Sequence, residues 1–450
     1  MIKNSQLPSK YLSRWRFVII ILAVIILGVN PQIPVAQNIL QRRTLTSNWG
    51  GLRDRLVDEG ISPEAVYTGD FFYNISGGVH RSRVYLYNVD LTLVLNTTKL
   101  LNWNDAIIFL YGLGDKGDNP SENSGDIQGI STIAAYNTWK LYEAWLQQNL
   151  PATHLSLLLG LYDLNSEFDL LNSANFFLNP SHGIDLTFSQ SGKNGPSIFP
   201  NTTLGFRLKW EPAISFYFQT VILNGIAGDP AIPNGTHLAF GNNDGILSTT
   251  EIGFLRTPAT NPKSASGRKR RSHIGRMENL HYQGKLGLGF WFYTARFQPV
   301  LPPETGDKNN KIRGSRGMYL ITEQVIYREK NKPGQSLEIF SRVGYANPKM
   351  NRFVFYLGGG SIYTALIPGR DKDIIGIAVA GVYNGRQYKQ AQFQTGRQVD
   401  PAEWNLEFSY QVILTPWFSL QPDVQYIIHP NTDPSIQNAL TVGIRTYITL

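Results

Sequence analysis

The sequence predicts an all-β fold: a 16-stranded antiparallel transmembrane β-barrel behind a short N-terminal helix. Three observations carry that reading. Strand-length runs with period-two alternation recur along the chain from residue 67 onward. The connections between them are short on one side and long on the other. The polar faces of the runs carry ionised groups of both signs, which a dry sandwich core could not hold without a cost of several kcal/mol for each unpaired charge. Composition agrees, because 42 glycines, 12% aromatic and only 16% charged residues describe a chain whose surface is not mainly charged. With no cysteine, disulfides, thiolate metal sites and cysteine nucleophiles are excluded.

The first element is a leader. Lys3, Lys10, Arg14 and Arg16 precede the apolar run Phe17 to Val29, which Pro31, Pro34 and Ala36 follow. That is the layout of a secretory signal, with an apolar run too short for an ordinary transmembrane helix. Residues 1–36 are therefore expected to be a signal peptide, 37–66 a periplasmic segment with a short helix, and 67–450 the barrel. In the second segment Leu52 and Leu56 share a helix face, and Gly60 is a natural stop.

The strands are expected at 67–76, 84–95, 105–114, 140–150, 154–163, 202–210, 215–225, 247–254, 284–297, 317–329, 336–345, 352–363, 374–383, 403–414, 418–429 and 438–450. The clearest pair is Trp404 to Ile428. Its apolar set includes Trp404, Leu406, Phe408, Val424 and Tyr426, and its polar set includes Asn405, Glu407, Ser409, Gln421, Asp423 and Gln425, with Ile413 and Ile427 as exceptions. Only Thr415, Pro416 and Trp417 join the two runs. Long connections follow several odd-numbered strands (115–139, 164–201, 226–246 and 298–316), whereas those after even-numbered strands are mostly short. An even strand count puts both ends on the short-turn, periplasmic side.

Alternation also sorts the faces. Tyr85, Tyr87, Val89 and Leu91, Leu155 to Leu161 in steps of two, Leu204 to Trp210, and Leu286 to Phe292 point to lipid. Asn88, Asp90, Thr92, Glu143, Trp145, Gln147, Arg207, Lys209, Trp291, Tyr293, Glu338, Arg342, Glu407 and Arg445 point inward. Sixteen strands enclose an aqueous lumen, whereas about eight are filled by side chains. Registers in 317–329 and 374–383 are weakly patterned.

The formal charge of +8 is local. Once the leader and the acid-free segment Lys263 to Arg276 are set aside, the remainder is slightly acidic, and nothing resembles a nucleic-acid module, so no nucleic-acid partner is expected. The plain reading of 263–276 is a solvated connection in an unusually long periplasmic turn. Contact with an anionic cell-wall polymer or lipid headgroups is the alternative.

Several motifs together resemble the carbohydrate-selective porins of the OprB family: Trp49-Gly50-Gly51-Leu52-Arg53, Tyr67-x-Gly69-Asp70, Asn88-Val89-Asp90-Leu91, Gly160-x-Tyr162-Asp163 with Phe168, Glu323-Gln324 with Tyr327-Arg328, Pro368-Gly369-Arg370 with Asp373, Gln421-Pro422-Asp423 and Gly443-x-Arg445. The resemblance spans about 49–450. It implies a 16-stranded barrel in the outer membrane that passes sugars or other small polar solutes passively, with outer-membrane lipid around it and no cofactor. Leu450 stands where such barrels usually end in phenylalanine, and the chain is read as a cyanobacterial-type relative lacking a surface-layer-homology region.

A sugar pore needs amide and charged groups that bind hydroxyls, and aromatic faces that pack on a pyranose. The pore-lining candidates are Asp90, Glu143, Trp145, Arg207, Lys209, Trp291, Glu338, Arg342, Glu407 and Arg445. The plain alternative is that these groups pair across the wall. The loop 164–201, with Asp169, Asn172 and Asn175, is long enough to fold inward and narrow the channel. Other signals are set aside. Gly112 to Gly117 matches a dinucleotide pattern, but Asn119-Pro120 follows where a helix must begin. The seven histidines lack metal-ligand spacing. Two competing readings stay open: a general ion or small-solute pore, and a barrel hydrolase using His182 with Ser181 or Asp185.

Overall fold

A computed structural model of the chain describes residues 37–229, 232–236, 241, 243–256, 282–302 and 311–450. The expected leader and the basic segment 263–276 lie outside the described residues. Residues up to Arg42 form one unit, in which Gln37–Leu40 makes a helical turn, and Arg43–Leu450 form the other.

The larger unit contains sixteen strands: β1 (Ile61–Gly78), β2 (Arg83–Asn96), β3 (Ala106–Gly117), β4 (Thr138–Leu150), β5 (Leu155–Tyr162), β6 (Thr203–Ala213), β7 (Phe216–Asn224), β8 (Ile246–Arg256), β9 (Gly284–Phe297), β10 (Ile312–Glu329), β11 (Lys332–Ala346), β12 (Phe353–Thr364), β13 (Ile374–Asn384), β14 (Ala402–Thr415), β15 (Phe418–Ile428) and β16 (Gln437–Thr449). Each pairs antiparallel with the next. β1 pairs with β16, so the sheet is a closed barrel with Asp70 opposite Arg445 at the seam. Closure is what lipid demands, because an open edge would leave a row of backbone groups unpaired in hydrocarbon.

All sixteen expected strands are present, and the Trp404 to Ile428 hairpin is β14–β15. β1 starts at Ile61, six residues before the expected start. Pro63 and Glu64 disguised this extension. Residues 61–65 pair only with β2, while pairing with β16 begins at Val66, so Pro63 occupies an edge position that needs no second ladder bond. The exception Ile427 is fully buried, in a cluster with Phe72, Ile130 and Leu178. The expected helix is Leu52–Glu59, with Gly60 in the left-handed region at φ 98° as its C-cap. A second helix, Arg386–Gln394, went unseen because it has no apolar stripe.

Two-residue turns close β14–β15 and β10–β11, and the long connections 118–137, 163–202, 225–245 and 385–401 all emerge at the opposite end. β5 has only eight residues, so the outer half of β4 lacks that neighbour. Asn234 and Thr236 bond the strand there: Trp139 N donates to Asn234 Oδ1 at 3.1 Å, and the Thr236 hydroxyl donates to Leu141 O at 3.0 Å. At the short-turn end, residues 44–53 fasten onto β16. Leu45 N donates to Thr449 O at 2.8 Å, and Arg53 Nη2 donates to Leu450 O at 2.9 Å.

Candidate functional site

Loop 163–202 folds into the lumen as one-turn helices separated by extended residues. Asp163, Asn179 and Asp185 cap three of these turns, accepting from the N–H groups of Asn165, Ser181 and Phe188. Its apolar residues make a core with the wall. Phe188 stacks on Trp291 with centroids 5.2 Å apart, and Phe177 packs on Phe340 at 5.7 Å. Wall glycines make the fit possible. A Cβ on Gly376 would lie 2.8 Å from the rings of Phe176 and Phe177, and one on Gly344 would lie 2.5 Å from the Asp185 carboxyl carbon.

A loop without a sheet still has N–H and C=O groups to satisfy. The inward charges of the barrel supply the partners. Wall carboxylates take the N–H groups: Glu251 accepts from Asp169 N at 2.9 Å, Glu323 from Asn172 N and Ser173 N at 3.0 and 2.8 Å, and Glu407 from Leu178 N and Asn179 N at 2.6 and 3.0 Å. Wall cations take the carbonyls: Lys285 donates to Leu170 O at 2.8 Å, and Arg342 donates to the carbonyls of Asp169 (2.6 Å), His182 and Gly183 (3.0 Å). Arg342 also pairs with the Asp169 carboxylate at 2.7 Å, and Arg207 with Glu167 at 2.9 Å. Charge-assisted bonds of this kind contribute about 1.5–3 kcal/mol each, and together they offset the desolvation of the charges.

Loop 118–137 is held the same way. Glu403 accepts from Ile127 N and Gln128 N at 3.0 and 3.1 Å, and Gln425 donates to Ile130 O at 2.8 Å. At the seam Arg445 pairs with Asp70 at 2.7 Å and donates to Thr132 Oγ1 at 2.9 Å.

The ten candidates all face inward, and the structure divides them. Arg207, Arg342, Glu407 and Arg445 hold loops, and Glu143 accepts from Asp163 N at 3.0 Å where loop 163–202 begins. Trp291 is the platform under Phe188. Asp90 accepts from Tyr111 OH at 2.5 Å beside Asn88, and Trp145 stacks on Phe109 at 4.8 Å. Lys209 lies 3.2 Å from Glu211 on the short-turn side, and Glu338 is half-buried near Ser336. The sequence placed Glu407 and Arg445 among the pore-lining candidates, whereas they are 1% and 6% exposed because the backbone of 178–179 lies over Glu407 and the hydroxyls of Ser131 and Thr132 lie on Arg445. Glu251, Glu323, Glu403 and Asp70 were missed as members of the same set. Each sits in the inward register of its strand, and that signal was available.

The loop groups titrate abnormally. Burial pushes the Asp169 carboxyl up to about 7 against the pull of Arg342, and it raises Asp185 as well. Burial lowers the His182 imidazole to about 3. The residues of the hydrolase reading do not act on one another: Ser181 Oγ donates to Gln128 O at 3.3 Å, Asp185 caps a turn, and neither ring nitrogen of His182 has a hydrogen-bond partner, Glu407 lying 3.7 Å away. Among the described residues no hydrogen bond joins Ser181, His182 and Asp185 through their side chains.

The sequence matches the carbohydrate-selective porin family, OprB, over residues 80–450. Porin B of Pseudomonas aeruginosa is 23% identical over 434 residues, which cover 89% of this chain and 90% of that protein. A putative porin, QuiX, of Acinetobacter baylyi is 22% identical over 90% of this chain and 92% of its own length. The high-pH structure of Pseudomonas putida OprB superposes with a TM-score of 0.77 at 20% identity, covering 91% of this chain and 99% of that one. The low-pH structure of the same protein gives 0.57 at 17% identity, with the same coverage.

Proposed function

Because this chain belongs to the carbohydrate-selective porin family, OprB, we propose that its solute path is defined by the inward-folded loops 118–137 and 163–202. The protein is a passive outer-membrane porin for carbohydrates, a channel rather than an enzyme. What is proposed here is how the residues divide that work.

Arg207, Arg342, Glu407, Arg445 and Glu143 keep the loops in place, and Trp291 supports Phe188. Solutes meet Glu338 and the half-exposed amides Gln147 and Asn149, whereas Asp90, Trp145 and Lys209 are about as buried as Arg445 and form the wall behind them. The observation that supports this division is the engagement of the wall charges by loop backbone. A charge bonded to a buried N–H or C=O is withdrawn from the solute, so hydroxyl, amide and ring surfaces are left to recognise uncharged sugars. Basic residues 263–276 are proposed to meet an anionic cell-wall polymer on the periplasmic side.

Reconstituting the mature protein in planar bilayers tests the reading. Stepwise conductance is expected, with added sugar reducing the open-channel current. Steps unaffected by any sugar would leave a general small-solute pore, and Gln147→Ala is expected to weaken the sugar effect while leaving the steps intact.

A further inference from the structure

The rim above β11–β14 is basic. Connections 347–352 and 385–401 contain Lys349, Arg352, Arg386, Lys389 and Arg397, and no acid before Asp400. Loops 118–137, 163–202 and 225–245 all contain acids. Arg352 turns inward: its guanidinium lies 4.6 Å from the Tyr388 ring and bonds Asn384 Oδ1 at 3.1 Å, which fixes one face of helix Arg386–Gln394. Helical spacing puts Arg386, Lys389 and Phe393 on the opposite face. All three are exposed, as is Arg397 just beyond the helix, and Phe393 is 76% exposed. Among the described residues no ion pair holds Arg386 or Lys389.

Below this rim the outer wall carries a cluster of rings. Phe355 and Tyr383 lie 5.6 Å apart, Tyr383 and Trp404 5.8 Å, and Tyr345 is on the neighbouring strand. Aromatic belts of barrels mark the headgroup level. The helix starts three residues after Tyr383, within about 10 Å of chain from the ring belt. Its cations therefore stand within side-chain reach of the headgroup level that the belt marks. An exposed phenylalanine between cations suits a helix lying at a headgroup boundary better than one in bulk water.

We propose that this rim binds the phosphate-bearing headgroup of an outer-leaflet lipid, with Arg386, Lys389 and Arg397 on phosphate oxygens and Phe393 against the acyl boundary. The test uses the full mature protein in neutral phosphatidylcholine nanodiscs, titrated with diphosphorylated lipid A and read by native mass spectrometry. The wild type is expected to retain lipid A at least tenfold better than the Arg386→Gln, Lys389→Gln, Arg397→Gln triple variant. Dephosphorylated lipid A should bind weakly to both, and Phe393→Ser should reduce retention with every charge intact. Single-channel conductance of the variants, expected unchanged, reports that the barrel is folded. Equal retention by wild type and triple variant overturns the proposal. So does soluble dextran sulfate binding as tightly as lipid A and being lost in the same variant, because the occupant is then a soluble polyanion.

Discussion

Loops 163–202 and 385–401 rise from the same end of the barrel and behave in opposite ways. The first enters the lumen, buries Leu164, Phe168, Leu171 and Phe188 completely, and has its backbone bonded by charges on six strands, β4, β8, β9, β10, β11 and β14. The second stays outside, satisfies itself with helix Arg386–Gln394, and leaves its cations and Phe393 exposed. The first is rich in turn formers and carries five phenylalanines and five leucines, whereas the second is rich in glutamine and basic residues with Phe393 as its one phenylalanine. The wall beneath them differs as well. Where the barrel presents glycines and unpaired charges, a loop is drawn in. Where strand ends present an aromatic belt and no free carboxylate, the loop has no socket to enter.

Removing the largest socket should erase the difference most. Arg342→Met leaves the Asp169 carboxylate buried without its cation and three loop carbonyls without donors, a cost of about 3–5 kcal/mol. Hydrogen exchange across 169–183 should quicken toward that of 386–398, and single-channel conductance should rise. Wild-type exchange at 169–183 in this variant would remove Arg342 from the account.

A smaller effect sharpens the packing half of the comparison. Gly376→Ala sets a methyl 2.8 Å from two phenylalanine rings, and overpacking of that kind costs about 1–3 kcal/mol. Gln390→Ala, on the exposed helix, should stay within about 0.5 kcal/mol. Thermal melting in detergent separates them, and equal melting temperatures would mean the loop yields without strain.

The third effect is set by pH. His182 is held neutral in the fold, at about 3, and titrates near its ordinary value when the loop is released. The released state therefore takes up the proton first, so the stability contributed by neutral His182 is present above about pH 6.5 and is lost as pH falls toward 3, by at most ~1.4 kcal/mol per pH unit. Exchange protection of 178–184 in the wild type, relative to His182→Gln, should decline between pH 7 and 5. A constant difference across that range would mean the imidazole is already protonated or already open.

The outward half of this protein was legible because lipid imposes one requirement everywhere, and period-two alternation records it. All sixteen strands, their order and the face of Glu407 or Arg445 followed from that single rule. What Glu407 touches did not follow. Its partners, the N–H groups of Leu178 and Asn179, lie 229 and 228 residues away and leave no periodic trace, because backbone amides are common to every residue. Glycines such as Gly344 and Gly376 were equally silent, since the space they leave has meaning only once the loop is known to fill it. Pro63 shows the converse, a local signal against a strand that the missing β16 partner made harmless.

The fastening of residues 44–53 onto β16 bears on the order of assembly. The Arg53 to Leu450 bond spans 397 positions of sequence, close to the greatest separation this chain allows. Contacts so distant are the slowest to form, because chain entropy must be lost before they give anything back. Until β16 meets β1, both strands are bare edges open to any passing strand. The amino-terminal segment can reach Lys99 beyond β2 through Val57 O earlier, but its bonds to Thr449 and Leu450 can lock only a barrel already shut, so that docking marks completed closure at the short-turn end.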